Sequence, residues 1–475
     1  MTTTTLHPTV FVIYGITGDL ASRKLIPALL ELYTKKLLPV RFAIVGFSRR
    51  IFNREEFREF IRERMNVKLG QYREEDIKHF LDHMSYEQGM FDDSGAYTRL
   101  ADKLKNIDDR WGQCSNKLFH LSVPPTLYER ILTNISHSGL SEACDDGMGW
   151  TRILIEKPFG SDSETARDLD KLLGSLFKEQ QIFRIDHYLA KEVLQNIVAF
   201  RFSNSMFEPL WNKKYVDKIH IKLFEKNALE GRGAFYDPIG ALKDVGQNHV
   251  LMMLAIIAME APKSFAAADI RRERAKVLSK LKQVSRGSIS KSVVRGQYEG
   301  YMQEPGIAPN SQTETYFRIK SFINSSRWKG VPFYLESGKA LAESKVEIDV
   351  YFKETKTKEK RKEAKKEGDV ENGPNILTFR IQPDEGIRVR FFVKKPGYEY
   401  TTEAKTLKFK YADSTFSDEI PNDYERLIHD AFVGDQTLFA STDEIMASWK
   451  FITSVLNNLK HIPLTLYAKG VEYVE

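Results

Sequence analysis

Residues 184–192, Arg-Ile-Asp-His-Tyr-Leu-Ala-Lys-Glu, gather a carboxylate, an imidazole, a phenol and an ammonium within nine positions. An apolar, strand-like lead-in at residues 181–185 precedes them, and a helix-like pattern at residues 188–198 follows. A helix beginning near His187 would place His187 and Lys191 at i and i+4, on one face. Two cationic groups stacked there repel unless an anion lies between them. A phosphate dianion meets that need, because both side chains donate hydrogen bonds and a helix N-terminus favours negative charge. The plainer alternative is a polar helix start, with Asp186 as N-cap and Lys191 solvated.

The elements that must position such groups begin at the start of the chain. Residues 9–14 are a continuous apolar, β-branched run, as in a parallel strand buried on both faces. Gly15-Ile-Thr-Gly18-Asp19-Leu20-Ala21 follows at once, then a helix pattern through Leu25, Leu29 and Leu32. Strand, glycine turn, helix is the context of a dinucleotide-binding turn. Gly15 permits the tight turn, Gly18 lets a pyrophosphate approach the backbone, and Ala21 allows close helix–strand packing. A βα turn without a ligand is the alternative, since the spacing is GxxGxxA and not GxGxxG. The next strand, residues 41–47, ends in Ser48-Arg49-Arg50. NAD-binding proteins usually place an acid there to accept from the ribose 2′-hydroxyl. Guanidiniums suit a 2′-phosphate instead, so NADP is favoured over NAD. Otherwise either arginine merely covers the surface.

Residues 51–110 read as amphipathic helices of alternating charge. Residues 116–123 form another buried strand, closed by Pro124-Pro125-Thr126 and a helix from Leu127. Ligands bind at the carboxyl ends of parallel strands, so Pro124 and Tyr128 are expected to line the cofactor. A further strand, residues 151–156, runs into Lys157-Pro158-Phe159-Gly160. Lys157 then stands near both the nicotinamide and whatever reacts with it. Pro158 is a candidate for a cis peptide bond, which sequence alone does not establish.

Bulk properties narrow the function classes. At 475 residues, 42% hydrophobic and 29% charged, the chain should form two or three globular domains. The net charge is +6, and residues 353–367 carry eight Lys/Arg against four Glu. The remainder is close to neutral, which argues against a nucleic-acid-binding surface. Two cysteines, Cys114 and Cys144, suit a reducing compartment. No signal-peptide pattern opens the chain, and the longest apolar run, residues 250–259, is too short to span a membrane. A cytoplasmic location without membrane association is expected.

Three stretches in order, Gly-Ile-Thr-Gly-Asp-Leu-Ala at 15–21, Glu-Lys-Pro-Phe-Gly at 156–160 and the nonapeptide at 184–192, resemble the glucose-6-phosphate dehydrogenases. The match continues through residues 230–233, 237–240, 243–249, 330–333, 337–341 and 424–427, and runs from about residue 10 to about residue 455. Ala190 stands where the family usually has Gly. The resemblance implies a cofactor site with Gly15, Gly18, Asp19, Leu20, Arg49, Tyr128 and Lys157. It implies that His187, Tyr188 and Lys191 hold the 6-phosphate, and that His249 is the base, oriented by Asp186. Imidazole suits that task, with an ordinary pKa of about 6.5. Glu225 and Asp244 match the family's contacts to sugar hydroxyls, Lys157 bridges sugar and cofactor, and Lys339 binds the sugar side. Where the family often has a basic residue this chain has Ser344, so Lys345 is the candidate substitute. No metal is implied. An ordinary helix with solvated polar residues is the alternative for residues 244–249.

From about Asp186 the pattern changes to period-two alternation at residues 216–224, 315–322, 345–352, 376–382, 386–393 and 404–411. That suggests a large antiparallel sheet. The expected fold class is α/β: a Rossmann-type doubly wound parallel sheet over residues 1–185, then a β+α domain with a large, mainly antiparallel sheet over residues 186–475. The second domain would bind substrate and form a homodimer or homotetramer. Residues 353–373 read as a polar hairpin tip or loop. The activity so implied is oxidation of β-D-glucose 6-phosphate at C1 by NADP+, giving 6-phosphogluconolactone, the first step of the oxidative pentose phosphate pathway. Two other readings stand beside it. One is a dehydrogenase for unphosphorylated sugar or NAD, which would leave His187 and Lys191 idle. The other is a silent sugar-phosphate sensor, which would predict loss of Asp186 or His249.

Overall fold

The computed structural model describes residues 7–474 apart from 66, 68–69, 143–148, 355–372, 400 and 414–419. Most of the Lys/Glu-rich run lies outside the described residues, as does Cys144. Cys114 is disulfide-bonded, where the composition suggested reduced thiols. Two compact units divide the chain. One comprises Met1–Ala190, Phe265–Arg271 and Pro421–Ile445, the other Lys191–Ser264, Arg272–Ile420 and Met446–Glu475.

The first unit is built on β1 (Thr9–Tyr14), β2 (Phe42–Ser48), β3 (Met84–Gln88), β4 (Asn116–Leu121), β5 (Thr151–Glu156) and β6 (Ile182–Ile185). These pair in parallel in the order β3-β2-β1-β4-β5-β6, and Phe439–Ala440 adds an antiparallel edge beside β6. β1 is buried at every position, as its unbroken apolar run requires. The strand order reverses between β1 and β4, the switch point where ligands of doubly wound sheets bind. β3 departs from the expectation of helices throughout residues 51–110. Its sequence is polar because it lies beside β2 at the sheet edge, with only Met84 fully buried. The helices Arg54–Arg64, Glu74–Asp82 and Ser94–Trp111 occupy the rest, the first started by a capping box of Asn53 and Glu56.

The second unit holds β7 (Val216–Phe224), β8 (Val293–Tyr298), β9 (Tyr316–Ser321), β10 (Phe333–Gly338), β11 (Lys345–Phe352), β12 (Ile376–Gln382), β13 (Gly386–Lys394) and β14 (Thr402–Lys410), with Leu464–Tyr467 at the edge. Their order is β14-β13-β12-β11-β7-β10-β9-β8, then Leu464–Tyr467. All pairings are antiparallel except those of β7 with β10 and of β8 with the edge strand. Along β7, Ile219, Ile221 and Leu223 are buried while His220 and Lys222 are half-buried, the expected period of two. The wholly buried helix Leu251–Ala258 packs on the helix Glu192–Phe202, which in turn covers β12.

A candidate active site in two sets of residues

In the first unit, the turn after β1 closes against the neighbouring strand ends. Gly15 has φ 77° and donates from its N–H to the Phe47 carbonyl at 2.8 Å. A Cβ at Gly15 would stand 2.3 Å from the Ser122 carbonyl oxygen, so only glycine fits. Gly18 donates to the Gly15 carbonyl at 2.9 Å, and the next helix opens with Asp19 and Leu20. That helix winds as a π-helix over Ala21–Leu25 before becoming the α-helix Ile26–Thr34. The Asp19 side chain is exposed and pairs with Arg23 at 2.7 Å. A cleft of about 470 Å³ lies over this turn, and Gly15, Gly18, Ser48, Arg49 and Pro124 line it.

The structure separates the two arginines after β2. Arg49 lines the cleft, whereas the Arg50 guanidinium lies 5.4 Å from the Phe60 ring centroid. Ser48 is buried, and its hydroxyl pairs with the Tyr86 hydroxyl at 2.8 Å. Tyr128 does not line the cleft. It is 1% exposed and its hydroxyl donates to the Glu156 carbonyl at 3.0 Å. Burial, reinforced by Glu156, pushes its phenol well above the ordinary range. The residue before it, Leu127, lines the cleft instead. Sequence reasoning also passed over Met90, Phe91, Asp92 and Arg130, which line it too. Their signal was faint because they follow the unrecognised β3 or sit one helical turn past Leu127.

Lys157 follows β5, half-buried, and its bond to Pro158 is cis. Behind it, the Glu156 carboxylate accepts from the Tyr424 hydroxyl at 3.0 Å and lies 3.4 Å from His120 Nε2. Gly160 has φ 88°, and a Cβ there would stand 2.5 Å from the Ala166 backbone nitrogen. At the end of β6, Asp186 is 1% exposed. Its carboxylate accepts from the Tyr188 N–H at 3.1 Å and its carbonyl from the Leu189 N–H at 2.9 Å. Asp186 thus caps the short 3-10 turn His187–Ala190, in which Ala190 is buried. An α-helix does not begin at His187; it begins at Glu192. Lys191 is extended, with φ −61° and ψ 127°, and caps the α-helix Glu192–Phe202. Helical i, i+4 stacking of His187 on Lys191 is therefore corrected: the turn tightens to close on Asp186 and the chain extends before the helix starts. Arg184, in the same motif, is buried and pairs with Asp170 and Glu179, each at 2.9 Å, which fixes the end of β6.

In the second unit, β7 and β10 run parallel, so Glu225 and Lys339 leave adjacent strands at their carboxyl ends. Glu225 N–H donates to the Gly338 carbonyl at 2.9 Å, and Leu341 N–H returns to the Glu225 carbonyl at 3.1 Å. This register brings Lys339 Nζ onto the Glu225 carboxylate and within 3.9 Å of the Asp244 carboxylate. The lysine is 5% exposed and lies 5.3 Å from the Tyr236 ring centroid. Asp244 and His249 sit on Leu242–Val250, which winds as a π-helix and not as the ordinary helix of the alternative reading. Bonding from i to i+5 aligns residues five apart, here Asp244 and His249, better than an α-helix does. Gly246 packs close beneath Phe317, where a Cβ would stand 3.1 Å from Cζ, and Gln247 donates to the Ser448 hydroxyl at 2.7 Å. His249 is 2% exposed, with its N–H donating to the Asn248 side-chain oxygen at 2.6 Å.

Glu314, which sequence reasoning missed, holds the start of this segment. Its carboxylate accepts from the Leu242 N–H at 3.0 Å, and its carbonyl from the Ala241 N–H at 3.0 Å. Burial raises its carboxyl above the ordinary range. Lys345 meets the Glu343 carboxylate and lies 5.4 Å from the Phe224 ring centroid, apart from the contacts of Lys339. Ser344 accepts from the Lys226 N–H at 2.9 Å.

Comparisons with known proteins converge. A family model described as the NAD binding domain of glucose-6-phosphate dehydrogenase matches residues 12–196, and one described as its C-terminal domain matches residues 198–473. The glucose-6-phosphate 1-dehydrogenase of Chlamydia pneumoniae is 40% identical over 468 residues, covering 95% of this chain and 90% of the relative. That of Borreliella burgdorferi is 40% identical over 474 residues, covering 97% and 94%. A solved glucose-6-phosphate dehydrogenase in complex with its substrate glucose 6-phosphate has a TM-score of 0.90 at 31% identity, covering 100% of this chain and 97% of that one. With both family domains matched in sequence order and the relatives aligned nearly end to end, this chain belongs to the glucose-6-phosphate dehydrogenase family.

Proposed function

We propose that the protein oxidises β-D-glucose 6-phosphate at C1 to 6-phospho-D-glucono-1,5-lactone, with NADP+ as cofactor. The observation that carries this is Lys339 bound to Glu225 and near Asp244, with Asp244 five residues before the buried His249 on one helical element. One acceptor for a sugar hydroxyl and a base thereby share a helical element, and Lys339 links a second acceptor, Glu225, to it. The cleft over Gly15 suits a dinucleotide, because strand, glycine turn and helix meet beneath it at the switch point of a doubly wound sheet. When bound there, NADP+ supplies the hydride acceptor. Gly15, Gly18 and the backbone of Asp19 and Leu20 would hold its pyrophosphate, and Arg49 its 2′-phosphate.

His249 takes the proton of the C1 hydroxyl. Asp186 orients that imidazole and stabilises it once protonated. Glu225 and Asp244 accept from ring hydroxyls, and Lys339 orders both carboxylates while donating to the sugar. Lys157 spans sugar and cofactor. His187, Tyr188 and Lys191 hold the 6-phosphate with charge-assisted hydrogen bonds. We also infer a cytoplasmic homodimer or homotetramer. Among the described residues no helix is long and apolar enough to cross a membrane. Supporting self-association, β14 exposes Leu407 (64%) and Phe409 (43%). Light scattering tests the oligomer.

Initial rates with glucose 6-phosphate and with glucose, each with NADP+ and NAD+, test the function. Reduction of NADP+ should depend on the phosphorylated sugar. Equal kcat/KM for glucose and glucose 6-phosphate would refute the substrate assignment.

A further inference from the structure

The cleft over the glycine turn holds a second guanidinium. Arg130 projects into it from the helix Tyr128–His137, which follows β4. Arg49 enters the same cleft from the end of β2. These two strands flank β1 on opposite sides, so the two cations approach the cleft from both sides of the switch point. Arg130 is also tethered. Its Nη1 lies 3.5 Å from the Asp92 Oδ2, and Asp92 lines the cleft as well.

Neither side chain is placed by chance. Asn134, one helical turn beyond Arg130, donates to the Phe91 carbonyl at 3.2 Å, and the Tyr97 hydroxyl donates to the same oxygen at 3.0 Å. The first bond ties the backbone next to Asp92 to the helix that carries Arg130, and the second ties it to the helix Ser94–Trp111. The ion pair itself is well exposed, with side chains 63% and 58% accessible. Such a pair contributes little to stability and is readily exchanged for a better anion. A phosphate dianion is one, because the planar guanidinium fork binds it bidentately.

We propose that Arg130 is a second reader of the 2′-phosphate of NADP+, held over the cleft by Asp92 until the cofactor displaces that carboxylate. The proposal rests on the NADP reading above. It assigns cofactor choice to residues that follow two strands, with Arg130 adding to the discrimination against NAD that Arg49 supplies.

The test uses binding of fragments, so turnover is not needed. Calorimetry on the full chain would compare 2′,5′-ADP with 5′-AMP, for the wild type, Arg130→Gln and Arg130→Lys. Arg130→Gln should weaken 2′,5′-ADP by about tenfold, the effect of one charge-assisted hydrogen bond, and leave 5′-AMP within about twofold. Arg130→Lys should fall between, keeping the charge and losing the fork. Equal weakening of both nucleotides would overturn the proposal by showing that Arg130 packs on adenine. No weakening of either would overturn it by showing an idle surface pair. If the wild type does not itself prefer 2′,5′-ADP, the NADP reading fails and this proposal with it. Thermal unfolding of each variant checks that the exposed substitution leaves the fold intact.

Discussion

Replacing Arg49 by alanine is the sharpest perturbation of the cofactor end, because the structure separates it from its neighbour. Arg49 is exposed and lines the cleft, while Arg50 packs over Phe60 and sends only its N–H toward Ser48. A hydrogen bond to a charged group contributes ~1.5–3 kcal/mol. At ~1.4 kcal/mol per tenfold, that range corresponds to about 10- to 150-fold in affinity. The side chain stands in solvent, where screening weakens such bonds, so the lower end is expected, about 10- to 30-fold. Steady-state kinetics with each cofactor would read this out. KM for NADP+ should rise by that factor while NAD+ kinetics barely change. Arg50→Ala should leave both cofactors within about twofold, since an exposed cation–π contact affects stability by only ~0.5–1 kcal/mol. Equal losses with NADP+ and NAD+ in Arg49→Ala would show that the guanidinium orders the loop. A larger NADP+ defect in Arg50→Ala than in Arg49→Ala would move the 2′-phosphate to the other arginine.

Lys191→Ala should weaken glucose 6-phosphate strongly and glucose hardly at all, because only the former carries the dianion; parallel losses in kcat/KM would make Lys191 structural. His249→Asn should keep binding of cofactor and sugar phosphate within a few-fold while turnover falls by about 10²–10⁴, with Asp186→Asn losing less; retention of more than about a tenth of wild-type kcat, under ~1.4 kcal/mol of lost barrier stabilisation, would exclude His249 as the base. Glu314 gives a pH dependence of stability. Its folded carboxyl is raised by burial above the ordinary 4.5, so the folded state holds this proton more tightly than the unfolded chain. Its favourable contribution is full below that ordinary value and is lost as pH rises through the raised folded value. Glu314→Gln removes this slope, so the gap in unfolding free energy between variant and wild type should shift toward the variant as pH rises from 4.5. A gap that stays constant with pH would contradict a raised carboxyl at this position.

Local features were legible in the sequence because their causes lie within a few residues. The apolar run of β1, the turn at Gly15 and the helix through Leu25 each follow from backbone sterics and side-chain period, and the structure has all three. The replacement of an acid by Ser48-Arg49-Arg50 could be read from residue type alone. So could the alternation that marks β7, β11, β12 and β13 as strands of one large sheet.

Tertiary structure decided what depends on neighbours distant in sequence. Tyr128 turns inward because the Glu156 carbonyl, 28 residues on, accepts its hydroxyl. β3 exists because β2 offers it a partner, and no apolar pattern announces it. The nonapeptide suggested one helix through His187 and Lys191, yet Asp186 draws the chain into a 3-10 turn and Lys191 extends before the next helix begins. The π-helix under His249 forms where Glu314 and Phe317 of a later strand region take its start and its glycine. Glu225 and Lys339 meet across 114 residues because β7 and β10 are parallel and end together. Residue types set which chemistry the chain could perform. Strand register and burial, which sum over contacts far apart in sequence, decided which of those groups stand side by side.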